Sequence, residues 1–399
     1  MRISVVGLGK AGLPLAAVIA DAGMDIVGLD TDESRIAMIN EKKNPIPEEP
    51  GLKEIIEQRI GVNFHATSSY EEAVKSSDVH IVIVPLFIDD EHRPDFSILD
   101  SAFESVGKNM KKGDLVVLET TVPVGTTKGR IKDLLEKASG LTAGSDFFLA
   151  YSPERIMTGH SISRYKEFPK VVGGIDKEST DKAFDIYSKF CGKVDKVQDS
   201  STAEMIKISE GVYRDVNIAL ANELLKVCNR YGVDFWEMRE KANHQFCNIL
   251  EPGNVGGHCI PVYPWFLIND NDVPLIKEAR LLNDDMIKYY LEQVKKISTK
   301  GKVCIVGLSY RTGVKEKAYA RSIPFIKILK EEGYEVYGID EMYSDDELEE
   351  EFGVQPSADL SKMDVIVLFN KIESYEGKLE GICSKVVDVR NSLEANGRK

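Results

Sequence analysis

Cys259 stands in the stretch EPGNVGGHCIPVYPW (251–265), behind Gly256, Gly257 and His258 and ahead of Pro261 and Pro264. Glycines let backbone pass close to a ligand, and prolines stop a segment from relaxing into helix. The thiol is therefore expected on a stiff, open loop, placed to attack an electrophilic carbon. The competing reading is a small hydrophobe at a turn, which fits most free cysteines. A nucleophilic cysteine needs a substrate, a group that stabilises developing charge, and a base. Glu154 directly follows an apolar run in YSPE, and Thr120 and Thr121 follow another. Lys207, Gly211 and Arg214 fall at i, i+4 and i+7, one face of a helix. Turn capping would equally account for the threonines, and a solvated stripe for the cations. Gly211 is costly inside a helix and makes more sense where something must approach closely.

Those residues need elements to carry them. RISVVG (2–7) reads as a strand and runs at once into a glycine turn, where Gly7, Gly9 and Gly12 match G-x-G-x-x-G. An apolar helix to Gly23 and a second strand ending at Asp30 complete a dinucleotide fingerprint in its proper setting. The glycines permit a tight turn and close approach of a pyrophosphate to a helix N-terminus, while the acid binds the ribose 2′-OH. Asp30 would repel a 2′-phosphate, and Thr31-Asp32 offer no arginine to receive one, so NAD is expected over NADP. Further strands at 79–85, 114–123, 146–154 and 169–174 predict an α/β, doubly wound sheet. Ligands gather at the carboxyl ends of such strands, here at Pro85, Thr120-Thr121 and Ser152–Glu154.

From Asp199 to Gly232 the apolar spacing predicts one long helix, about 45 Å at 1.5 Å per residue, with Ser201 and Glu204 in capping-box register. Helices this long bridge domains or line subunit interfaces. More helix is expected over 272–299. Then the opening pattern returns: KVCIVGLSYRTG, a helix, and a strand ending at Asp340. The chain thus reads as two Rossmann-like halves. The second has GLSYRTG in place of the fingerprint, so it should bind something other than NAD. Arg311, Lys315, Lys317 and Arg321 near that turn suit a diphosphate, or form a solvated basic patch.

With 399 residues, two or three domains are expected. A net charge of −14 argues against nucleic acid or an anionic membrane as partner. The six cysteines show no disulfide framework or metal-ligand spacing, so no metal is expected, and Cys191 and Cys304 look like core. The opening strand has no leader and no run is long enough to span a bilayer, which makes a cytoplasmic enzyme the expectation.

Several of these stretches resemble the UDP-glucose / UDP-N-acetylhexosamine 6-dehydrogenase family over essentially the whole chain. The likeness rests on GLGKAGLPLA, LETTVPVGTT (118–127), YSPERI (151–156), the AEMIK…RDVNIALANEL helix, and GNVGGHCIPV. The resemblance implies an NAD domain over 1–198, a central helical segment over 199–299 that makes a homodimer, and a UDP-sugar domain over 300–399. It implies oxidation of the sugar C6 hydroxyl to a carboxylate in two hydride steps, through a thiohemiacetal and a thioester on Cys259. A free thiol ionises near pH ~8.5, so such a site must favour thiolate or take its proton on attack.

By the same resemblance Lys207 steadies the oxyanion, Glu154 is general base toward the hydrolytic water, and Thr121 helps hold that water. The cofactor set becomes Gly7, Leu8, Gly9, Lys10, Gly12, Asp30, Pro85 and Thr121. The substrate set becomes Glu154, Arg155, Lys207, Arg214, Asn254, Gly256, Gly257, His258, Arg311 and Arg321. The match has gaps: Gly211 stands where the family usually has Asn, Tyr263 where many members have Asp, and 243–249 holds no Arg. His258 beside the cysteine looks like the N-acetylhexosamine branch, and the substrate expected is UDP-N-acetyl-D-mannosamine, with UDP-N-acetylglucosamine or UDP-glucose as alternatives. A two-electron hydroxyacid dehydrogenase with a structural Cys259, or a nucleotide-sugar binder without turnover, would keep many of the same residues.

Overall fold

The computed structural model describes residues 1–155, 159–357, 359–370, 379 and 383–389. Ile156, the last residue of the YSPERI motif, lies outside them. The chain divides into two compact units, Met1–Ser209 and Glu210–Lys399.

The first unit is built on one eight-stranded sheet. Its strands are β1 (Arg2–Val6), β2 (Asp25–Leu29), β3 (Phe64–Thr67), β4 (Val79–Val82), β7 (Leu115–Leu118), β8 (Phe148–Tyr151), β9 (Lys170–Gly174) and β10 (Val194–Lys196), with a small hairpin of β5 (Phe87–Ile88) and β6 (Pro94–Asp95) outside it. The order is β10-β9-β8-β7-β4-β1-β2-β3. Helices cover both faces, so the central strands are apolar along their length: β4, β7 and β8 are buried at every position. Strand order reverses between β1 and β4, and the crevice at that switch is where such sheets receive ligands.

One strand departs from the expected parallel arrangement. β9 runs antiparallel to β8, with Ala150 opposite Gly174 and Tyr151 opposite Gly173. Only the carboxyl ends of the two strands overlap, so the first residue of β9, Lys170, lies beyond the end of β8. That edge also carries Glu119 and Glu154.

The second unit repeats the topology. β11 (Lys302–Val306), β12 (Glu335–Ile339), β13 (Gln355–Pro356), β14 (Val365–Leu368) and β15 (Val386–Asp388) form a parallel sheet in the order β13-β12-β11-β14-β15. The first sheet has the matching order β3-β2-β1-β4-β7. Gly7 and Gly307 both adopt positive φ, +97° and +83°, and their N–H groups donate to Leu29 and Ile339 at 2.7 and 2.8 Å.

The long helix spans Ser200–Tyr231. Its start differs from the expected capping box. Asp199 accepts the N–H and hydroxyl of Thr202, each at 2.8 Å. Glu204 turns inward instead, fully buried, and accepts the N–H groups of Gly125 (2.5 Å) and Thr127 (2.8 Å). The VPVGTT turn offers those amides no partner of its own, and a buried N–H without an acceptor costs more than a lost cap. The second long helix, Pro274–Ile297, matches the expected 272–299. Among the described residues no helix is long and apolar enough to cross a membrane.

Candidate active site

The first glycine turn has the shape a dinucleotide needs. A Cβ on Gly12 would lie 1.8 Å from the Gly7 carbonyl oxygen, whereas one on Gly9 would have nothing within 4 Å. Gly12 is thus fixed by the turn's own packing, and Gly9 leaves open space for an approaching ligand. Asp30 is buried and accepts the N–H of Leu8 at 2.7 Å and of Asp32 at 2.9 Å. Arg35, which the sequence reading passed over, lies 3.0 Å from Asp30 and 3.4 Å from Asp32. Asp32 caps the helix Glu33–Asn40, and one helical turn brings the arginine back over the strand end. The signal was an N-cap aspartate with arginine three places on. Lys10 faces Glu48 at 3.6 Å, and Pro85 is exposed. These residues fit NAD.

At the neighbouring strand ends lies a buried polar cluster. The Glu119 carboxylate is fully buried and takes the Lys170 ammonium at 2.7 Å on one oxygen and the Tyr187 hydroxyl on the other. Burial pushes the Glu119 carboxyl up, against the pull of Lys170. Burial works against the Lys170 charge too, but Glu119 and Glu154 outweigh it and hold the ammonium charged. Tyr165 donates its hydroxyl to Glu154 at 2.9 Å. Arg155 packs its guanidinium 4.6 Å over the Phe168 ring and donates to the Pro169 carbonyl at 2.8 Å. Thr120 gives its hydroxyl to the Val84 carbonyl, and Thr121 follows on the turn that Glu204 anchors. Lys207 is half-buried on the long helix.

In the second unit the cysteine loop is pinned at several points. Asn222 brackets Gly253, accepting its N–H at 2.8 Å and donating to its carbonyl at 3.1 Å. Asn222 is itself held by Asn283 at 2.9 Å, and Asn283 donates to Asp215 at 2.9 Å. Asp215 pairs with the fully buried Arg280. Asn254 is buried. Gly256 and Gly257 then pass against the second glycine turn: a Cβ on Gly256 would meet the Tyr319 carbonyl at 2.9 Å, and one on Gly257 the Tyr310 ring at 2.7 Å. His258 lies 3.3 Å from Glu316 and edge-on to Tyr319. Cys259 is exposed, and its carbonyl accepts the N–H groups of Val262 (3.2 Å) and Tyr263 (3.1 Å) in a single tight turn.

The two positions that depart from the family pattern meet each other. A Cβ at position 211 would lie 2.4 Å from the Tyr263 ring. Tyr263 occupies the volume a side chain on the helix would need, so glycine there and tyrosine after the cysteine are one packing solution. Arg214, a turn further on, is exposed.

The basic residues of the second turn face acids. Lys315 pairs with Glu347 (2.5 Å), Lys317 with Glu351 (3.0 Å) and Arg321 with Asp284 (3.1 Å), while Arg311 sits within the turn itself. Asp340 accepts the N–H groups of Leu308 and Ser309, each at 2.8 Å, as Asp30 does for Leu8. Among the described residues no cluster of His, Cys, Asp and Glu could hold a metal ion.

Comparison with known proteins agrees over both units. Residues 1–191 match the UDP-glucose/GDP-mannose dehydrogenase family, NAD binding domain, and residues 201–285 match the central domain of the same family. A UDP-N-acetyl-D-mannosamine dehydrogenase of Methanocaldococcus jannaschii is 34% identical across 98% of this chain and 92% of its own. An NDP-N-acetyl-D-galactosaminuronic acid dehydrogenase of Ralstonia solanacearum is 35% identical across 82% and 79%. The structure of the Pyrococcus horikoshii UDP-D-ManNAc dehydrogenase superposes with a TM-score of 0.88 at 30% identity, covering 99% of this chain and 96% of that one.

Proposed function

The chain belongs to the UDP-glucose/GDP-mannose dehydrogenase family, and from that premise we propose that this NAD-dependent nucleotide-sugar dehydrogenase oxidises C6 of UDP-N-acetyl-D-mannosamine to the uronate. The observation that carries the reading is the docking of Gly256–Cys259 against the Tyr310–Tyr319 turn of the second Rossmann-like sheet. A thiol fixed to the turn where a nucleotide diphosphate would lie is placed to meet the sugar attached to it. The relative from Methanocaldococcus jannaschii supports the choice of sugar.

NAD supplies the hydride acceptor, and the overall balance is sugar-CH2OH + 2 NAD+ + H2O giving sugar-COO− + 2 NADH + 3 H+. In the proposed mechanism Cys259 Sγ adds to the C6 aldehyde left by the first oxidation, giving a thiohemiacetal. Loss of the second hydride from that carbon leaves a thioester. Lys207 offsets charge on the C6 oxygen. Glu154 accepts a proton from the water that adds to the thioester, with Thr121 helping to place that water. Pairing of Arg321 with Asp284, and of Arg155 with the Phe168 ring and the Pro169 carbonyl, makes both residues supports of the substrate-binding turns in this reading. We also infer a homodimeric, cytoplasmic enzyme.

Cys259→Ser is the sharpest test. It should form no uronate while still binding UDP-sugar, and uronate production at the unchanged rate would remove the thioester route. Counting NADH per uronate across UDP-N-acetylmannosamine, UDP-N-acetylglucosamine and UDP-glucose should give two for the true substrate; one would point to a two-electron dehydrogenase.

A further inference from the structure

The reaction as proposed leaves one buried cluster without a task. Lys170 and Glu119 are 4% and 0% exposed, yet a buried ion pair adds little to stability compared with apolar side chains of similar volume. Their position is more informative than their charge. Glu119 follows β7, Glu154 follows β8, and the Glu154 N–H donates to the Glu119 carbonyl at 3.3 Å. The antiparallel entry of β9 brings Lys170 to the same edge. Its ammonium faces the rings of Tyr165 and Tyr187 at 5.8 and 5.3 Å. Among the described residues Tyr151 and the Cys191 thiol also lie near this cluster, and burial raises both. Two carboxylates thus lie at one edge, Glu119 paired with Lys170, and each is bound by a tyrosine hydroxyl: Tyr187 on Glu119, Tyr165 on Glu154.

We propose that Tyr165 and Lys170 are positioning residues for the general base: Tyr165 fixes one oxygen of Glu154 by its hydrogen bond, and Lys170, locked to Glu119, places a positive charge at the same edge. The inference rests on the reading of Glu154 given above. In the step concerned, a water oxygen bonds to the thioester carbon and Glu154 takes the water proton. The C–S bond then breaks with its electron pair returning to Cys259 Sγ, and no electron leaves the system. The hydrogen bond from Tyr165 fixes the plane and reach of that carboxylate. The cation offsets the charge of Glu119 at the same edge, so the base does not face an unpaired buried carboxylate.

Tyr165→Phe keeps the ring and deletes only the donor. Hydrogen bonds to charged groups are among the stronger ones, so uronate release should slow about ten- to a hundredfold. KM should change little, and the acyl-enzyme should accumulate as an intact-mass adduct on Cys259. Lys170→Met should accumulate the same adduct, and Lys170→Arg should clear it at the wild-type rate. Should Lys170→Met fail to fold, Tyr165→Phe decides alone. A folded Tyr165→Phe enzyme with wild-type uronate release and no adduct overturns the proposal. Glu154→Gln separates the two levels: a wild-type hydrolysis rate there overturns the base assignment itself. An adduct in Glu154→Gln but not in Tyr165→Phe overturns only the positioning role.

Discussion

Position 211 shows how a gap in a motif becomes a contact. The sequence marked Gly211 and Tyr263 separately, as places where expected polar side chains are missing. That they touch was not legible, because about fifty residues of chain separate them and neither periodicity nor turn chemistry reports such a distance. Gly211→Ala should cost about 1–3 kcal/mol, the usual penalty for overpacking, because the new methyl meets the Tyr263 ring at 2.4 Å. In Tyr263→Ala the same glycine substitution should cost far less, since residues in contact are not additive; equal penalties in thermal melts of both backgrounds would refute the packing pair. Cysteines also separate by environment. Cys259 is exposed, whereas burial pushes the Cys191 and Cys304 thiols up to about 12. Iodoacetamide at pH 8 should therefore label the Cys259 peptide well before those two, as peptide mass spectrometry would show.

Helices and strands were legible where one period ran long enough. The strands at β1, β4, β7 and β8, the helix Ser200–Tyr231 and the return of the pattern after residue 300 all carry local signals. What local pattern hid were side chains recruited by other elements. Glu204 had the spacing of a cap and went instead to the Gly125 and Thr127 amides, and β9 carried a strand's composition with no mark of its direction. Lys170 follows from that direction, and its loss has a definite pH signature. Lys170→Met leaves the buried Glu119 carboxyl without the cation that opposes its upward shift. A carboxyl raised on folding contributes stability below its unfolded value, and that contribution is lost as pH climbs toward the folded one. Breaking a buried pair costs about 3–5 kcal/mol, and the variant's melting temperature should fall further behind wild type as pH rises past about 7, where wild-type Glu119 ionises against Lys170. Glu119→Gln/Lys170→Met should lose most of that pH dependence; a constant deficit in the single variant would contradict the assignment. In the second unit Asn222→Ala strands both polar groups of Gly253. It should destabilise by about 1–3 kcal/mol and quicken Cys259 alkylation, since the loop loses its anchor.

Five strands of each sheet share one order, each with an acid at the end of its second strand, and in the function proposed they make two nucleotide sites by one device. Asp30 binds the Leu8 amide and Asp340 the Leu308 amide, so each acid shapes its glycine turn from beneath. They part company one residue later. Gly9 leaves open space above the first turn, while its counterpart Ser309 is buried and also bound to Asp340. The first turn offers bare backbone at that position and the second carries a serine, so the two turns differ in the ligand they suit. Ligand binding to the folded state stabilises by RT ln(1 + [L]/Kd), about 2.7 kcal/mol at a hundredfold excess over Kd. NAD and UDP should therefore each raise the melting temperature through a different half. Asp30→Ala should lose the NAD shift and keep the UDP shift, and Asp340→Asn should do the reverse. If Asp30→Ala abolished both, the two turns would not be independent sites, and the division of labour read from the paired sheets would have to be abandoned.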